Sequence, residues 1–106
     1  MEVWSRLKGY SRFTWRLDFI LEKDGRIMMI IEVKDVTSEK PTTLHTQMRL
    51  AFAELSDLQR QYSEALTLVI VPDAVWRRGA TEKYFDLFDS VRGAVVPHPS
   101  YLTKMV

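Results

Sequence analysis

Two adjoining stretches decide the fold: Arg12-Phe13-Thr14-Trp15-Arg16-Leu17-Asp18-Phe19-Ile20-Leu21-Glu22 and, after Lys23-Asp24-Gly25, Arg26-Ile27-Met28-Met29-Ile30-Ile31-Glu32-Val33-Lys34. In the first, Phe13, Trp15, Leu17, Phe19 and Leu21 are apolar, while Arg12, Thr14, Arg16, Asp18 and Glu22 are polar and only Ile20 breaks the alternation. Period two is the signature of a strand with one buried face. In the second, the odd positions Ile27, Met29, Ile31 and Val33 are all apolar, and the even positions are Arg26, Met28, Ile30, Glu32 and Lys34. Asp24-Gly25 is a turn signal, so the pair reads as an antiparallel hairpin.

Register follows from burial. A two-residue Asp24-Gly25 turn places Asp18 opposite Ile31 and sets the apolar row of one strand beside the polar row of the other. A three-residue loop, Lys23-Asp24-Gly25 with Gly25 left-handed in a bulge, places Asp18 opposite Ile30 and makes the two apolar rows coincide. Burying each of those side chains is worth roughly 1.5–3 kcal/mol, so the three-residue loop is the expected one, with the odd-numbered row inward.

Working outward, Leu44, Met48, Ala51, Phe52, Leu55, Leu58 and Tyr62 recur at helical spacing and predict a helix over 43–62, capped by Thr42 or Thr43. Asp35 to Thr42 is a polar connector. Leu66 to Val71 is an almost continuous apolar run closed by Pro72-Asp73, the pattern of a strand buried on both faces. A second helix is expected over Thr81 to Val91, ended by Gly93, with a short strand at 94–96, a helical lead-in over 1–9 and an unassigned tail from Pro97. The order is β-β-α-β-α with the first helix as a right-handed crossover between parallel strands. That is an α/β fold: a mixed central sheet, an antiparallel hairpin plus a parallel strand, flanked by helices.

The whole chain of 106 residues reads as one domain. Its 46% hydrophobic content is ordinary for a globular chain. A net charge of +1 excludes a strongly basic wrapper of nucleic acid while allowing a local basic face. Without cysteine there is no disulfide scaffold and no thiolate metal site. The longest apolar run, Ile27 to Ile31, is far short of the ~20 residues that span a bilayer. The N-terminus carries no apolar signal stretch. The expectation is a cytoplasmic protein with no membrane partner.

The hairpin also places charge. In the expected register Asp18, Glu32 and Lys34 project from one face, with Asp18 and Glu32 diagonal to each other. Two converging carboxylates suit a hard divalent cation such as Mg²⁺, with Mn²⁺ as a substitute, and the Val33 carbonyl offers a further oxygen. Lys34 would stand beside the attacking water and offset charge on a phosphate. The plain alternative is a wet sheet face whose charges pair across strands for about 0.2–1 kcal/mol each. Ile20, Met28 and Ile30, interleaved with the charges, speak for a partly covered cleft instead.

Asp18, a fourteen-residue step, then Glu32-Val33-Lys34 resembles the PD-(D/E)XK signature of the restriction-endonuclease-like nucleases. The order of elements from about Trp15 to Val71 resembles that family's core. The resemblance implies a Mg²⁺-dependent deoxyribonuclease: Asp18, Glu32 and the Val33 carbonyl at the metal, Lys34 as catalytic lysine, DNA as substrate. Several branches, type I restriction subunits among them, place a glutamine on the following helix, which Gln47 matches. Junction resolvases carry a glutamate on an N-terminal helix, for which Glu2 is the candidate. Leu17 stands where the nominal proline would be, and only seventeen residues precede Asp18, so the family's first helix and strand are expected to be compressed or missing.

Arg12 and Arg16 share the even face with Asp18, where they either steer phosphate or neutralise the carboxylates. Arg77-Arg78 after Trp76 offer a backbone contact beside a stacking surface, against the commoner reading of a solvated basic pair. His45 reads as a surface or capping residue and His98 as part of a tail turn. A module this small is expected to act as a homodimer or within larger restriction, repair or mobile-element machinery. The competing reading is a nuclease-fold module without activity that binds DNA or a protein partner.

Overall fold

Asp24 and Gly25 both adopt positive φ, 53° and 76°, as the two central residues of a type I′ hairpin turn must. Lys23 pairs directly with Arg26 across them. The loop therefore has two residues, not the expected three. The mismatch of rows that argued against it is removed further along: the register slips between Leu21 and Glu22, so that Glu22 faces Ile27, Leu21 faces Met29 and Met28 is the extra residue. This bulge moves Ile27 and Ile30, of opposite parity, onto one face.

In a computed structural model that describes residues 5–34 and 41–98, the chain forms β1 (Ser5–Lys8), β2 (Thr14–Leu17), β3 (Phe19–Lys23), β4 (Arg26–Val33), α1 (Pro41–Gln61), β5 (Leu66–Val71), α2 (Asp73–Arg77), a 3-10 turn (Glu82–Tyr84), α3 (Phe85–Asp89) and β6 (Gly93–Pro97). β3, β4, β5 and β6 make one mixed sheet in that order, with β3 antiparallel to β4 and the remaining pairs parallel. β1 and β2 form a separate antiparallel ribbon. The α/β class, the hairpin, the crossover helix and the parallel strand are as the sequence predicts.

Several expectations are corrected. The long strand over 12–22 is two strands broken by a bend at Asp18. The lead-in is a strand over Ser5–Lys8, paired with β2, and residues 1–4 with Glu2 lie outside the described residues. The second helix is shorter than 81–91: Val91 and Arg92 donate to Phe88 and Asp89, three residues back, and Arg92 turns to φ 56° to enter β6. α2 was not foreseen. The short strand runs Gly93–Pro97, and most of the connector and the tail beyond His98 lie outside the described residues.

The largest correction concerns which face is inside. Leu17, Ile30, Val69, Val71 and Val95 pack with Leu44, Met48, Ala51, Leu55 and Leu58 of α1 and with Val75, Tyr84 and Phe88 of the short helices. The edge-on contact of Phe52 with Phe88 ties α1 to α3. All described helices thus lie on one face of the sheet, the face of Ile20, Ile30, Thr67, Val69 and Val95. Phe19, Leu21, Met29, Ile31 and Val33 point the other way, with Leu21 47% exposed, and Leu66 in β5 is 45% exposed, so among the described residues β5 is covered on one face and not two. Across this second face run three apolar rows in register: Leu21, Met29, Leu66; Phe19, Ile31, Leu68, Ala94; and Val33, Ile70, Val96.

The β1–β2 ribbon is pinned to α1 by one carboxylate. Asp57 accepts from the Ser11 N–H at 2.8 Å, the Ser11 hydroxyl at 2.7 Å and the Trp15 indole N–H at 2.7 Å. Burial pushes its carboxyl up, but these donors and Arg60 together hold it below the ordinary value. Gly9 permits the approach, because a Cβ there would lie 2.0 Å from Asp57 Oδ2. Hydrogen bonds to a charged acceptor are worth about 1.5–3 kcal/mol net, and less where, as here, water reaches the donors. Asp57→Ala should therefore lower the unfolding free energy by about 1–3 kcal/mol and shift Trp15 emission to the red. Unchanged emission and urea midpoint would show that Asp57 does not hold the ribbon.

Candidate functional site

β4 carries Glu32 onto the covered face and ends at Lys34. Continuing the pairing of Ile20 with Ile30 and Phe19 with Ile31 brings position 18 level with position 32, so Asp18 lies across from Glu32 and not diagonal to it. The backbone bends at Asp18, and its Oδ2 accepts the Val33 N–H at 2.8 Å. On the other edge of β4, Lys34 donates its N–H to the Ile70 carbonyl at 2.9 Å. Alternate residues of a strand address opposite neighbours. Val33 therefore turns its own N–H and carbonyl away from β5, to the side where Asp18 sits.

Glu32 is 8% exposed and Glu54, reaching down from α1, is 7% exposed. Lys34 Nζ stands 3.7 Å from Glu32 Oε1, with both side chains largely covered. Two buried oxygens, Glu32 Oε2 and Glu54 Oε1, find no hydrogen-bond donor. Such atoms are rare, because each costs about 1–3 kcal/mol of lost hydration. Burial pushes Glu32 up to about 9 from 4.5, reinforced by the neighbouring Glu54 and Asp18 carboxyls and opposed by the Lys34 charge. Glu54 is raised as well, chiefly by burial, with its hydrogen bond to Glu32 and the Lys34 charge pulling the other way. Burial and the closeness of the two carboxyls both favour keeping a proton on the pair.

Asp18, Glu32, Val33 and Lys34 thus meet in one place. Glu54 is the residue that sequence reading missed. It sits on the stripe of Ala51, Leu55 and Leu58, where an acidic residue among buried neighbours is itself the signal. Gln47 lies on the same helix seven residues before Glu54, about 10 Å along the axis. Arg12 is not on a strand: it occupies the β1–β2 turn with φ 72°, where it lines a cleft with Lys8, Tyr10 and Tyr62. Arg16 is exposed in β2 opposite Arg6. Arg77 pairs with Asp73 at 3.0 Å, Arg78 is exposed beyond α2, and Trp76 is half-buried against Phe85 rather than a free stacking surface. His45 Nδ1 meets the Tyr84 hydroxyl at 3.0 Å, and the His98 N–H bonds the Val71 carbonyl.

The donor set at the cluster is oxygen only, the chemistry of a hard cation. Among the described residues no three carboxylate or imidazole groups stand together as a finished metal cage, and one Asp18 oxygen is engaged by Val33. The orphaned Glu32 and Glu54 oxygens are the feature that fits a cation. No protein-family model, curated protein or solved structure matches the chain. Among the described residues no helix is long and apolar enough to cross a membrane.

The raised Glu32 has a definite sign in stability. Its unfolded form releases the proton near 4.5 while the folded form holds it to about 9, so its contribution is complete below the unfolded value and is lost as pH rises toward the folded one. Without metal, the urea midpoint should fall steadily from about pH 5 to about pH 9, by at most about 1.4 kcal/mol per pH unit. Glu32→Gln should flatten that slope. An equal slope in both proteins would show that Glu32 ionises normally.

Proposed function

We propose that the protein hydrolyses DNA phosphodiester bonds with the help of Mg²⁺. The observation that carries this reading is the meeting of Asp18, Glu32 and Lys34, the three residues of the PD-(D/E)XK-like pattern, at the end of β4. Asp18 is held to the Val33 N–H, and Lys34 Nζ is 3.7 Å from Glu32. A broken strand and a register slip together accompany this meeting.

In this reading Asp18, Glu32 and the Val33 carbonyl hold the cation. A bound divalent ion supplies positive charge against the phosphate and acidity to water. Glu32 must give up its proton for this, and Glu54 beside it is the group that holds or passes on that proton. Lys34 orients the attacking water and offsets negative charge developing on the phosphate oxygens. Water adds to phosphorus, one P–O ester bond breaks, and the departing alkoxide takes a proton to leave a phosphomonoester and an alcohol.

The engaged Asp18 oxygen and the proton kept between Glu32 and Glu54 favour a second reading. In it the same fold binds DNA or a protein partner without cleavage, the buried acid pair serving as structure. The two readings separate on mixed linear, branched and single-stranded DNA. Mg²⁺-dependent cleavage that Lys34→Ala reduces by at least about 100-fold, with an unchanged circular dichroism spectrum, supports hydrolysis. Cleavage unaffected by Lys34→Ala contradicts the assigned role. DNA binding without cleavage, indifferent to divalent metal and to Glu32→Gln, establishes the second reading.

A further inference from the structure

We infer that the open face of the four-stranded sheet is the contact between two copies of this chain. Its three rows contain no charged or hydrogen-bonding side chain. None of these side chains belongs to the packed core or is packed against it, and among the described residues every helix lies on the opposite face. Soluble proteins seldom leave so continuous an apolar surface uncovered unless it receives a partner.

Chemistry selects the partner. The rows themselves carry no charge; the paired Lys23 and Arg26 stand only at the turn end of this face, with Arg26 tied to Glu64, so a nucleic acid or a charged peptide finds little there to recognise. Two sheets pack face to face when their twists match, about 10 Å apart with strands within about 30°. A second copy presents the same twist and the same apolar rows. Around a two-fold axis such a face is self-complementary, with Leu68 and Ile31 of the middle row nearest their counterparts.

The area is sufficient. Four strands about 4.8 Å apart, over roughly five residues each, cover on the order of 300 Å² in plan, and roughly twice that as accessible surface. Two copies would then bury about 1,000–1,200 Å², at the lower bound for a specific interface. The dimer is accordingly expected to be concentration-dependent. Because Glu32 and Glu54 lie on the covered face, the acid clusters of the two copies would sit on the outer sides of a central double sheet, and the inference does not depend on what they catalyse.

Sedimentation equilibrium of the full chain from about 1 to about 200 µM tests this directly. The expected result is a monomer–dimer equilibrium whose dissociation constant rises at least tenfold in Leu68→Lys and in Ile31→Lys, with unchanged circular dichroism. A monomer throughout the range, or a dimer equally tight in both folded variants, would overturn it. Should the lysine variants not fold, single cysteines decide, since the chain has none. Leu68→Cys should cross-link under mild oxidation, and Arg49→Cys on α1 should not. The reverse preference, or no cross-link at Leu68→Cys, would overturn the inference.

Discussion

The hairpin of β3 and β4 turns on two left-handed residues and then slips by one at Met28, and the placement of Asp18 against Glu32 follows from that slip. Side chains alternate strictly along a strand, so one extra residue exchanges inside for outside. Before the bulge Ile27 faces α1; after it Ile30 and Glu32 do. Without it, Glu32 would emerge on the open apolar face and Glu54 would have no acidic neighbour. The bulge thus joins backbone geometry to chemistry, since it puts a glutamate under a helix where only a strong reason would keep one.

That burial is costly. A carboxyl pair taken out of water keeps a proton it would otherwise lose, and two of its oxygens lack donors. The Asp18 carboxylate, fixed by the Val33 amide, and the Lys34 ammonium complete a compact set of groups at the C-terminal end of a strand. Ligands of α/β sheets are characteristically met at those ends. The ribbon of β1 and β2 is a separate two-stranded sheet. Held by Asp57, it covers one flank of α1 and keeps Leu7 and Trp15 against the core.

Much of this was legible in the sequence. Asp24-Gly25, the apolar periodicity of α1 and the run Leu66 to Val71 fall where their chemistry predicts, and Asp18, Glu32 and Lys34 do meet. The face assignment was not legible, because Leu17, Ile20 and Ile30 break a simple count of odd and even positions, and a bulge leaves no mark in composition. The expected hairpin register rests on burying the odd-numbered apolar row. Phe19, Leu21, Met29 and Ile31 instead line the open face. Resemblance pointed to Gln47 and left Glu54 unremarked, whereas helical geometry alone, with Glu54 one turn beyond Ala51 and one before Leu58, sets the glutamate beside the strands.

Cation binding linked to proton release tests the central claim, that the acid cluster is a metal site kept closed by a shared proton. Mn²⁺ titrated by calorimetry at neutral pH, in two buffers of different ionisation enthalpy, counts the protons set free. The account predicts saturable binding with about one proton released per ion, both lost in Glu32→Gln. Absence of binding to the folded protein, or binding without proton release that persists in Glu32→Gln, would contradict it.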